Sequence, residues 1–430
     1  MDNKLLLGVG SAVITPKVGG QLYGYRPDIM SSSVNDDLTV TAFYFSQGDT
    51  RALMISATVC LINTELSDEI LSKISAQFGI PKQNCLLHAT HTHSGPNVSG
   101  TYGWGDIDRE YCDEIFIPMI LKATGEAINN AKYVKMAVAT GKSLVGINRR
   151  ELRDDNRVIL GQNPWGPFDP KMTAISFVDE DGCRVANIIH YGAHGTAAGI
   201  NHEITRDWSG VMTDAVSEQF GGITAFFNGP EGDVGPRLTN QKTCGDIGHV
   251  MRLGGVAAQD AVSIMLNARD FADAELTVSE RTVKIPLDPR LPLEKAKEDY
   301  KQVKHKTVNS SGAKANYLNT VIKSYEDGYE DLETLPVSQT IIRIGSVAFV
   351  GFSFELFSEI GMRIAKYSDI PNTLSLSNTN GSEGYFVTQD QICRGGYEVD
   401  MFKTKYIQPY SDCADWHLIT QTADHLKNLK

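Results

Sequence analysis

Cys85-Leu-Leu-His88-Ala-Thr-His91-Thr-His93-Ser-Gly-Pro96 is a short apolar run that passes straight into three histidines. Just upstream, residues 42–46 and 52–57 read as two strands around a turn at Gly48-Asp49. Leu66, Ile70, Ile74 and Phe78 then recur at helical spacing, and Gly79 and Pro81 stop the helix. Strand, helix, strand in that order predicts a βαβ unit, hence a sheet covered by helices. The histidines fall at a strand's carboxyl end, where open α/β sheets bind ligands. Within a strand, residues two apart share a face, so His91 and His93 are expected to reach one site.

The same alternation continues along the chain. A helix is expected over 114–131 and strands near 135–145. A hairpin at 175–178 and 185–191 turns on Glu180-Asp181-Gly182 and leads into a second histidine window, His190, His194 and His202. Helix, strand and helix follow at 209–220, 223–227 and 247–266. Two strands flank Gly345, Glu355 opens a helix that reaches Lys366, and strand 374–376 and helix 415–429 close the chain. No internal sequence repeat is visible. The expected architecture is a single α/β catalytic domain over residues 1–430, with a large mixed β-sheet flanked by helices. Residues 286–336 turn polar while keeping helical spacing at Tyr317, Val321 and Tyr325, which reads as a helical insertion.

Composition narrows the function. The 430 residues are 41% hydrophobic and 21% charged, enough for a well-buried core without compositional bias. A net charge of −12 argues against a nucleic-acid footprint and favours a small-molecule substrate. No stretch approaches the roughly 18 apolar residues of a membrane span, so no integral membrane association is expected. The N-terminal apolar run is too short for a signal peptide, and seven scattered cysteines contain no CxxC pair. Both features predict free thiols in a reducing cytoplasm.

Neutral imidazole is the commonest protein ligand for zinc, so paired histidines after a strand point to a metal. A metallo-β-lactamase-like site would need a following Asp-His, whereas Ser94-Gly95-Pro96 comes next. An amidohydrolase-like barrel would put the pair near its first strand, whereas strands and a helix precede it here. A zinc hydrolase needs three or four protein ligands and an open position. Glu355, a carboxylate in the apolar run Val350-Gly-Phe-Ser-Phe-Glu355-Leu-Phe, must have a positive partner if buried, and that partner is either a metal or an Arg or Lys.

Eight motifs in order carry a resemblance to a known family. They are Gly8 to Pro16, Asn35-Asp-Asp-Leu38, Ala89-Thr-His91-Thr-His93-Ser-Gly-Pro96, Asn148-Arg149, His194-Gly-Thr196, Asn228 to Pro236, Gly351 to Glu355, and Asn380-Gly-Ser-Glu-Gly384-Tyr385 with Gly395-Gly-Tyr397-Glu398. The chain resembles the catalytic domain of the neutral/alkaline non-lysosomal ceramidases, zinc amidases that cleave the N-acyl bond of ceramide. The resemblance implies zinc held by His91, His194, Glu355 and the Tyr385 phenol. His93, Arg149 and Tyr397 would be the catalytic residues lining the site. Attack of a zinc-bound water on the acyl carbonyl would be the chemistry, with the oxyanion stabilised by Tyr397, Arg149 or His93 and the leaving amine protonated by His93.

The chain also departs from the family. Gly235 stands where ceramidases carry a serine, and the additional C-terminal domain is expected to be absent. The substrate is therefore left open between an N-acyl amide, an ester or glycosidic bond in a small polar or carbohydrate molecule, and no reaction at all in a zinc-binding homologue.

Overall fold

Strand β2 (Thr39–Gln47) shows what kind of sheet this sequence builds. Val40 through Phe45 are all buried, so both faces of the strand are covered. Val40, Ala42 and Tyr44 face one apolar core, and Phe43 and Phe45 face another, as the two-residue repeat of a strand requires. The computed structural model describes residues 4–429.

One arrangement occurs three times. The first unit runs β1 (Leu6–Val13), β2, β3 (Thr50–Ala57), α1 (Thr64–Phe78), β4 (Cys85–Ala89) and α2 (Ile117–Asn129). Its strands lie in the order β4-β3-β2-β1, antiparallel except for the parallel pair β3/β4 that α1 connects. The second unit runs β5 (Lys135–Lys142), β6 (Lys171–Val178), β7 (Arg184–Tyr191), α3 (Trp208–Phe220), β8 (Ile223–Asn228) and α4 (Ile247–Met265). Its order is β8-β7-β6-β5, with β7/β8 parallel.

The third unit begins with β9 (Leu276–Pro286), and its inserted helices α5 (Leu293–Val303) and α6 (Asn309–Glu326) precede β10 (Thr334–Ile344). β11 (Val347–Gly351), α7 (Ser358–Tyr367), β12 (Asn372–Leu376) and α8 (Ala414–Lys427) complete it in the same order, with β11/β12 parallel. The expected mixed sheet is thus divided into three sheets of like topology, although the sequence shows no repeat.

The inner faces of all three sheets meet in one core. Phe43 and Phe45 of the first, Phe177 and Phe227 of the second, and Ile342 and Phe349 of the third lie in it together. Each fully buried side chain of this size stabilises the fold by about 1.5–3 kcal/mol. The outer face of each sheet packs on its own helices. Ile70, Ile74 and Ile120 cover the first, Met212, Val216 and Ala257 the second, and Ile360, Ile364 and Leu418 the third.

Two local expectations are corrected. His91 and His93 are not on a strand: β4 ends at Ala89, and His91 has a left-handed backbone, φ 70°. Glu355 does not open a helix. It lies in a two-residue strand, Glu355–Leu356, paired in parallel with Tyr385–Phe386, and α7 starts at Ser358.

Candidate metal centre

Each unit ends its parallel strand pair at the same place in space, and the loops leaving those ends carry the site. His91 and His93 follow β4, His194 follows β7, Glu355 follows β11, and Tyr385 follows β12. All of the ligands implied by the resemblance are buried, with Tyr385 the most exposed at 6%.

Three donor atoms converge. Oε2 of Glu355 lies 3.4 Å from Nε2 of His91 and 3.3 Å from Nε2 of His194. The hydroxyl of Tyr385 is 3.5 Å from that same His194 nitrogen. On the far edge of each ring, Nδ1–H is engaged by a main-chain carbonyl. His91 donates to Cys60 O at 3.0 Å, and His194 to Glu231 O at 2.8 Å. With Nδ1–H so engaged, each ring in its neutral form presents its Nε2 lone pair toward a carboxylate oxygen that has no hydrogen-bond partner. Lone pairs and a carboxylate buried against one another repel unless something positive sits among them.

A tetrahedral zinc with bonds of about 2.0–2.1 Å sets its donors about 3.3 Å apart, which is the spacing observed here. The donor set, two imidazoles, a carboxylate and a phenol, fits a zinc ion. A second cluster, Cys60, His91 and His93, is also close enough to hold an ion. It would need Cys60 Sγ, which lies 3.7 Å from Nδ1 of His91, the edge already committed to the Cys60 carbonyl. The first cluster uses free lone pairs and is the coherent one.

The electrostatics follow from burial. Burial pushes the His194 pKa down to about 3, helped by Arg149, so this ring is neutral and can ligate. Burial also acts against charge on His91, yet Cys60 and the Glu355 carboxylate drive its pKa well above the usual value. Burial would raise Glu355, but His91 and His194 hold it well below the ordinary carboxylate range. The centre thus demands one positive charge beside Glu355, a proton on His91 when no metal is held.

His93 places Nε2 at 3.2 Å from Nε2 of His91, while its Nδ1 is buried without a partner. Burial and the two neighbouring histidines push its pKa well down. Glycine at position 24, with φ 130°, lets the chain pass against this ring, where any Cβ would strike it. Arg149 is not a surface charge. Its Nε donates to Glu398 at 2.8 Å and its Nη2 to the Tyr385 hydroxyl at 2.9 Å. Arg150 occupies the other Glu398 oxygen at 2.6 Å. Tyr397 faces Tyr385 edge-on, with ring centroids 5.6 Å apart, and lines the same pocket.

Several residues were not singled out from sequence. Glu398 neutralises Arg149 and Arg150; the adjacent arginines and the distant glycine-flanked Tyr-Glu motif were separate signals that only the fold joins. Asn228 joins two ligand loops, since its side chain donates to Thr90 O and Ala193 O and accepts from Ala193 N. Tyr23 and Trp104 wall the pocket, and nothing in their sequence surroundings marks them. Of the remaining clustered histidines, His88 ties Ser377 O to the Asn228 N–H, His190 bonds Ser375 O, and His202 bonds Met30 O. None of the three joins the converging donor set. Within the Asn35-Asp-Asp-Leu38 motif, Asp36 holds Arg206 and Asp37 accepts from Thr15, a structural role.

Position 235 has a physical explanation. Gly235 pairs with Ile147, and a Cβ there would come 2.8 Å from Cγ2 of Thr243 and 3.4 Å from Cβ of Arg149. Thr243 fills the space that a serine side chain would need.

Comparison with known proteins gives a consistent result. A family model described as neutral/alkaline non-lysosomal ceramidase, N-terminal, matches residues 5–254. Neutral ceramidase A of Dictyostelium discoideum is 28% identical over 269 residues, 57% of this chain and 37% of that protein. Neutral ceramidase of Pseudomonas aeruginosa is 25% identical over 202 residues, 44% of this chain and 30% of that protein. The alignments with these curated relatives thus span well under half of the relatives' own length. The crystal structure of neutral ceramidase from Pseudomonas aeruginosa superposes with a TM-score of 0.76 at 18% identity, covering 99% of this chain and 74% of that one. A structure of a ceramidase complexed with C2 gives 0.75 at 17% identity. The α/β fold is therefore that of the solved ceramidase structures.

Proposed function

Because this chain belongs to the neutral/alkaline non-lysosomal ceramidase family, we propose that it is a zinc-dependent hydrolase that cleaves an N-acyl amide bond. The observation that carries this reading is the Glu355 oxygen, without a hydrogen-bond partner, facing the Nε2 atoms of two buried imidazoles at 3.3 and 3.4 Å. His91, His194, Glu355 and Tyr385 would hold the metal. When bound, zinc supplies Lewis acidity, acidifying a water and polarising a carbonyl.

The chain's own residues divide the remaining work. His93, kept neutral by burial and its histidine neighbours, has an imidazole nitrogen free to take a proton, and its lowered pKa makes it quick to give that proton up. It takes a proton during attack on the acyl carbon and returns it to the departing amine nitrogen. Tyr397 presents its phenol to the pocket and donates to the oxygen that gains charge. Arg149, fixed by Glu398, donates to the Tyr385 hydroxyl and so positions that phenol at the edge of the neighbouring cavity. Leu61, Trp104 and Met401 help exclude bulk water from a pocket of about 70 Å³.

The test is hydrolysis of a panel of N-acyl amides, esters and glycosides by the zinc-loaded enzyme and its variants. Amide cleavage is expected, with His93→Ala lowering kcat by about 10²–10⁴ while zinc content stays unchanged. Loss of zinc from that variant would make His93 a ligand. Cleavage of esters or glycosides without amides would overturn the choice of bond.

A further inference from the structure

The metal pocket has two mouths, and their linings differ in chemistry. One opens into a cavity of about 300 Å³ where Tyr25, Trp104, Leu160 and Ile200 supply apolar surface beside Arg26 and Arg149. The other opens past Thr101, Ser382, Met401 and Lys405, which border both spaces, into a cavity of about 560 Å³. Hydrogen-bonding side chains recur around this larger cavity, among them Asn63, Thr64, Ser99, Asn316, Thr320 and Glu383.

The polar lining is supported from several parts of the fold. Helix α6 presents Ala313, Asn316, Tyr317 and Thr320, successive positions of one helical face, as one wall. Thr64 and Glu383 form a second, the Thr64 hydroxyl donating to Oε1 of Glu383 at 2.6 Å. At the throat, Nζ of Lys405 donates to Ser382 O at 3.0 Å, which fixes a cation where the two spaces join. A plain alkyl chain in this cavity would strip water from these groups and return no hydrogen bonds, a loss for each of them. A hydroxylated group of similar size replaces that water bond for bond.

Resting on the amidase reading above, we infer that one half of the substrate is a hydroxyl-rich, sugar- or polyol-like group that occupies the 560 Å³ cavity. The other half, extending toward Trp104, Leu160 and Ile200, is apolar. The chain then prefers a polar N-acyl compound over an amide that carries two plain alkyl chains.

The experiment compares three amides on the zinc-loaded full chain: N-octanoylglucosamine, N-octylgluconamide and N-octyloctanamide. The first two place the hydroxyls on opposite sides of the scissile bond. One of them is expected to exceed N-octyloctanamide in kcat/KM by at least about tenfold. Asn316→Ala and Thr320→Val should each lower that value about fivefold and leave N-octyloctanamide cleavage equal or faster, since each removes a group that an alkyl chain would desolvate. Wild-type cleavage of N-octyloctanamide as fast as the better of the other two, or variants that lower all three amides alike, overturns the inference. If the wild type cleaves none of the three, the amidase reading fails separately, and calorimetry with N-octanoylglucosamine and N-octylgluconamide decides. Saturable binding of either one that Asn316→Ala weakens supports the hydroxyl-rich cavity; no binding of either overturns it.

Discussion

Glu355, His91 and His194 meet so closely that a proton and a metal compete for one place. Without metal, the raised pKa of His91 keeps a proton on that ring as pH climbs past the ordinary imidazole value. Zinc would have to displace it, so binding would release a proton and apparent zinc affinity should rise with pH until the raised His91 value is passed. Calorimetric titration in two buffers of different ionisation heat should show that release; identical heats in both would contradict it. Position 235 is constrained sterically by Thr243. Gly235→Ser should destabilise the protein by about 1–3 kcal/mol in thermal or denaturant unfolding. Adding Thr243→Ala should recover most of that loss, because Thr243 is what the new side chain strikes. A single variant as stable as the wild type would remove this explanation of the glycine.

At the scale of elements, the ligands depend on loops held at the carboxyl ends of strands. Asn228 ends β8 and fastens the His91 loop through Thr90 and the His194 loop through Ala193. Asn228→Ala should cost about 1–3 kcal/mol of stability and weaken zinc binding about 10–100-fold. Unchanged zinc affinity in a competition titration would show that the loops hold themselves. The βαβ order around residues 42–96 was legible because apolar runs, helical spacing and stop residues agree there. His91 and His93 were legible as a pair for an incomplete reason. Strand alternation does not bring them together; a left-handed turn at His91 does, and the backbone of a non-glycine residue with positive φ leaves no mark in the sequence. Glu355 was legible as a carboxylate in an apolar run. Its histidine partners lie more than a hundred residues away, and only the packing of separate units pairs them. Tyr23 and Trp104 were not legible, and Asn228 was legible as part of a motif but not in its role, because these roles come from contacts between distant loops.

At the scale of the whole molecule, the donor atoms come from all three units: His91 from the first, His194 from the second, Glu355 and Tyr385 from the third. A common inner core already joins the sheets, and zinc would tie their carboxyl ends as well. A metal held by these donors would bind the folded state in preference and stabilise it by mass action, about 4 kcal/mol when free zinc is a thousandfold above its dissociation constant. Chelation should therefore lower Tm as one cooperative transition. Separate transitions would mean that the units unfold independently, and an unchanged Tm would mean that no metal ties them together.

The account rests on Glu355 as the charged ligand that makes two buried imidazoles a metal centre. The most direct measurement is the zinc content of the wild type and of Glu355→Gln, by plasma mass spectrometry after dialysis against zinc-free buffer. The substitution keeps the side chain's shape and removes its charge. The account predicts about one zinc per chain in the wild type and little in the variant. Absence of stoichiometric zinc from the wild type, or its full retention by Glu355→Gln, would contradict it.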